Sequence, residues 1–129
     1  MSYGDSVRLD MPHEKAVQSV RDALSEQGFG VLTEIDVRQT LKAKLGEEME
    51  DYVILGACNP ALAHRALEVD RSIGLLLPCN VVVRGADGGT VVEVLDPQVM
   101  VSVPDEEQLR PVADEARKRL TAALESLTA

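Results

Sequence analysis

Two cysteines stand in matched settings, Ala57-Cys58-Asn59-Pro60 and Pro78-Cys79-Asn80-Val81, and they are the only thiols in the chain. Thiols are its only soft nucleophiles, so their surroundings decide what chemistry could be done. Asn59-Pro60 reads as a helix start: asparagine caps the first free amides and proline takes the first helical position. Cys58 then precedes the cap, near the positive end of the helix dipole, which favours a thiolate and predicts a lowered pKa. The competing expectation is packing, because the residue before a cap often meets the fourth helical residue, here Ala63. Buried cysteine is also a common core residue.

His64 falls one turn into that helix, and helical side chains lean toward the N-terminus. An imidazole reaching Cys58 would make a cysteine nucleophile with its base, although Ala-His-Arg-Ala offers no orienting acid. Cys79 depends on topology. If the strands through Cys58 and Cys79 are parallel neighbours and the second begins near Gly74, the thiols come nearly level; if it begins at Pro78, they lie at opposite ends. A disulfide needs Cα atoms within about 7 Å, so only the first arrangement allows one. Cys58, His64 and Cys79 are three potential metal donors, with Glu34, Asp36 or Asp96 as a fourth. No Cys-x-x-Cys or His-x-x-x-His spacing accompanies them, so no metal site is expected. Glu34 and Asp36 share a strand face, as an acid pair or as the solvated side of an edge strand.

Composition narrows the classes. The chain has 129 residues, enough for one domain with one core, and 45% hydrophobic with 27% charged residues is ordinary for a globular protein. Tyr3, Phe29 and Tyr52 are its only aromatics, so the core must come from Val, Leu, Ile and Ala. A net charge of −9 repels phosphate backbones, and few rings remain for base stacking, which argues against nucleic acid. The first five residues show neither a basic nor an apolar leader region. The longest apolar stretch, Ile73 to Val83, is far short of the ~20 residues of a membrane span. The expectation is a cytoplasmic protein with no membrane partner, in which cysteines are reduced, metal-binding or redox-active rather than a permanent staple.

The elements that would position these residues follow from periodicity. Ser6 to Asp10 alternates as a short strand. Val17, Val20 and Leu24 predict a helix over Pro12 to Gln27, ended by Gly28. Gly30 to Val37 reads as a strand with Val31, Thr33, Ile35 and Val37 on one face and Leu32, Glu34 and Asp36 on the other. Gln39 to Met49 predicts a short helix, Asp51 to Cys58 a buried strand, and Asn59-Pro60 another helix. Leu75 to Arg84 and Thr90 to Leu95 flank a tight turn at Asp87-Gly88. Leu109, Val112, Ala113, Ala116, Leu120, Ala123, Leu124 and Leu127 form the stripe of a terminal helix, with Pro111 opening it or marking a kink. The order β-α-β-α-β-α-β-β-α predicts a two-layer α+β domain spanning residues 1–129, with a five-stranded mixed sheet and helices on one face. The hairpin excludes an all-parallel sheet.

Several ordered segments carry a family resemblance. They are Gly28-Phe29-Gly30-Val31, Glu34-Ile35-Asp36, Ile54 through Pro60, Ala63-His64-Arg65-Ala66-Leu67, Gly74 through Val83, and Asp96-Pro97. Together, from about Val7 through the terminal helix, the chain resembles the domain-of-unknown-function 302 family of small bacterial and archaeal proteins. The resemblance implies a compact α+β fold similar to TATA-binding-protein-like folds, often dimeric. The two Cys-Asn pairs resemble one branch of that family, and the resemblance supplies no cofactor and no substrate.

Three functional classes stay open from the residues. The leading expectation is a homodimeric small-molecule or thiol-linked binding module centred on Cys58 and Cys79. His64 would assist, Asn59 and Asn80 would be ligand-binding, and Glu34, Asp36 and Asp96 would be polar walls. The second is a thiol-disulfide or sulfur-transfer enzyme using Cys58 as thiolate and Cys79 as resolving partner. The third is a structural or interaction dimer whose cysteines only pack.

Overall fold

The structure is a computed structural model, which describes residues 3–128. Met1 and Ser2, part of the leader-free N-terminal reading, lie outside the described residues. Five strands, β1 (Gly4–Leu9), β2 (Gly30–Asp36), β3 (Tyr52–Cys58), β4 (Cys79–Ala86) and β5 (Gly89–Leu95), form one sheet in the order β1-β5-β4-β3-β2. Helices α1 (His13–Glu26), α2 (Val37–Leu45), α3 (Pro60–Val69), α4 (Val99–Ser102) and α5 (Arg110–Thr128) complete a two-layer α+β fold. All four neighbouring strand pairs are antiparallel, so the sheet is not mixed. The helical link between β3 and β4 therefore returns the chain to an antiparallel neighbour.

Local signals set most boundaries. Gly28 takes φ +83° just after α1, the left-handed geometry that ends a helix. Asp36 ends β2 and caps α2, its carboxylate accepting the Gln39 amide at 3.0 Å, so this helix starts two residues before the sequence pattern suggests. Asp87 and Gly88, at φ 47° and 81°, make the predicted β4–β5 turn. Pro111 is the second residue of α5, which resolves its ambiguity in favour of opening the main helix.

Two expectations fail locally. Leu75 to Leu77 is not strand: Arg71–Leu76 forms a 3-10 helix, and β4 begins at Cys79. An apolar run without alternation cannot by itself separate a helical turn from a buried strand. In β2, a bulge falls between Val31 and Thr33. It inserts Leu32 and flips the alternation, so Val31 sits opposite Ala57 while Thr33 and Ile35 sit opposite Gly56 and Ile54. The single-face reading of Val31, Thr33 and Ile35 is corrected by that extra residue.

Period-two burial along the strands defines one covered face. Leu9, Val53, Leu55, Ala57, Val81, Val83, Val92 and Val94 are buried with Ala16, Val20 and Leu24 of α1 and Leu120, Ala123 and Leu124 of α5 in one cluster. A second cluster joins Leu62 and Ala66 of α3 to Ile73, Met100, Val101, Leu109, Val112, Ala113 and Ala116. Among the described residues, the opposite sheet face has no helix in that core. Across it runs a row of registered partners, Ser6–Glu93–Val82–Ile54–Ile35. No helix among the described residues is long and apolar enough to cross a membrane.

Candidate functional site

Asn59 behaves as the sequence predicts. It is the N-cap of α3, nearly fully buried, and its Oδ1 accepts the Leu62 amide at 3.2 Å. This satisfies one of the free first-turn donors and fixes the direction in which the chain leaves β3.

The cysteines differ from the thiolate expectation. Both are free, and neither is fully exposed. Burial pushes the Cys58 thiol up rather than down. Burial also raises Cys79, with a lesser push from the Cys58 charge. Cys79 pairs across the ladder with Ala57, not with Cys58. Alternation along β4 sets Cys79 with buried Val81 and Val83 toward the helices, while Cys58 ends β3 where the chain turns into α3, and both thiols border one small cavity. The two Cys-Asn sequences are thus out of phase: Asn59 is buried and Asn80 exposed. The thiols are not a facing pair. The apolar cavity that Cys58 and Cys79 border, with Phe29, Leu62, Met100 and Val112, is about 20 Å³. That is room for about one water-sized occupant.

His64 does not serve Cys58. Its side chain is 75% exposed, and Nε2 lies 3.5 Å from Glu68 one turn further along α3, on the side away from the cap. The remaining candidates are dispersed and engaged. Glu34 accepts from Arg21 of α1 at 2.6 Å, and Asp36 caps α2. Asp96 accepts from Arg117 of α5 at 2.6 Å and from the Gln98 amide at 3.0 Å, closing the end of β5. Among the described residues, no three His, Cys, Asp or Glu side chains converge as a metal-binding group.

Asn80 borders a concavity of ligand size. It lies over the uncovered sheet face, encloses about 520 Å³, and has Ser6, Tyr52, Val82, Glu93 and Leu95 as further lining, with Tyr3 at its rim. Volumes of about 300–1,000 Å³ are usual for small-molecule sites. Tyr52 is registered opposite Arg84, and Arg84 Nε donates to Glu93 Oε1 at 2.8 Å. Sequence reading missed Tyr52, Glu93 and Ser6 because they come from three strands whose order is set only by tertiary pairing. Tyr52 carried one signal, as one of three aromatics placed at a strand end.

The family profile described as "Domain of unknown function DUF302" matches residues 5–127. No curated protein matches the chain significantly. Among solved structures, the chain is similar to an uncharacterized conserved DUF302 protein from Bacillus stearothermophilus, known from a crystal structure. The two share 29% identity and a TM-score of 0.90, over 97% of this chain and 98% of that one. With profile and fold agreeing over nearly its full length, this chain belongs to the DUF302 family.

Proposed function

We propose that the protein is a small-molecule binding module whose ligand sits on the uncovered sheet face, with Asn80 and Tyr52 as its contacts, rather than between the thiols. The observation that carries this reading is the concavity of about 520 Å³ over strands β1, β3, β4 and β5, against about 20 Å³ at the cysteines. Polar groups at its wall (Ser6, Asn80, Glu93) over an apolar floor (Val82, Leu95) suit orientation plus desolvation of a modest ligand. Thiol chemistry finds less support. Both thiols are held in the protonated form by burial, and His64 is directed to Glu68.

Ligand-observed NMR with a fragment mixture tests the reading. Hits should lose their signal on Val82→Glu, which puts a charge into the floor, while circular dichroism shows the fold unchanged. Hits that bind the variant as well as the parent would sink it.

A second reading is favoured by Ile35, which is 49% exposed in line with Ile54 and Val82. In it, a second copy covers this face, giving the homodimer that the resemblance implies. Sedimentation equilibrium separates the two: a dimer made monomeric by Val82→Glu favours the assembly role, and a monomer at all concentrations favours the ligand.

A further inference from the structure

We draw no further inference here: the strongest candidate, the apolar row of Val82, Ile54 and Ile35 across the uncovered sheet face, belongs to the site already described, and nothing in the structure shows what covers it.

Discussion

Cys79 lies directly across the β3–β4 ladder from Ala57, one position out of register with Cys58. The thiols are therefore not a facing pair, although both border the same small apolar cavity. Under mild oxidation, non-reducing peptide mapping should therefore find both cysteines without an internal Cys58–Cys79 link. A stoichiometric link would contradict this placement.

Burial sets the pH behaviour of the same thiols. Each has its folded-state pKa raised, so its neutral form is the one favoured in the folded chain. Stability is then complete below the unfolded thiol value of about 8.5 and is lost as pH rises through the higher folded values. Denaturation midpoints should fall above that range, and Cys79→Ala should flatten the fall at a small cavity cost. Alkylation should be slow at neutral pH, with Cys58 ahead of the more buried Cys79. Fast labelling of Cys58 at pH 7 would restore the thiolate reading.

Asn59 caps α3 from a nearly buried position, so its loss is not readily repaired by water. Asn59→Ala should cost about 1 kcal/mol, within the 0.5–2 kcal/mol range of cap removals, as read by urea denaturation. Asn59→Asp keeps the accepting oxygen and should cost less. Equal losses for the two would mean that the cap hydrogen bond is not what Asn59 contributes.

These residues mark what could be read without a structure. The Asn59-Pro60 cap, the Asp87-Gly88 turn and the stripes of α1 and α5 are written within a few positions, and each formed as predicted. Strand order is not local. Tyr52, Asn80, Glu93 and Ser6 become neighbours only through three antiparallel pairings, so the concavity they line was not legible. Cys58, His64 and Cys79 drew attention because their chemistry is visible in one letter each. Nothing in their spacing shows that His64 turns to Glu68, or that Cys79 faces the helices. The bulge at Leu32 has the same character: one extra residue reverses a face, and only the β3 partner reveals it.

Gly56 is where two of these tertiary details meet. A Cβ there would collide with Thr33 Oγ1 across the edge of the sheet and lie 2.8 Å from Pro78 Cγ. Gly56→Ala should destabilise by roughly 1–3 kcal/mol, the usual cost of overpacking. Adding Thr33→Ala removes the oxygen but not the proline, so the double variant should recover only part of the loss. Full recovery would show that Pro78 can move aside freely, and no loss in the single variant would refute the close packing.

Gly88 offers the complementary case, in which space is free and only the backbone objects. It takes φ +81° in the β4–β5 turn, and an added Cβ would meet nothing within 4 Å. Gly88→Ala should therefore cost about 1–2 kcal/mol, all of it from holding an L-residue in the left-handed region. Asp87 occupies the same region at φ 47°, where a short polar side chain is tolerated, so Asp87→Asn should be close to neutral. Because the strain is confined to the turn, Gly88→Ala should leave ligand shifts on the uncovered face unchanged while lowering the denaturation midpoint. A variant that keeps its midpoint but loses those shifts would show that the hairpin turn contributes to the site, and that Tyr52, Asn80 and Glu93 do not define it alone.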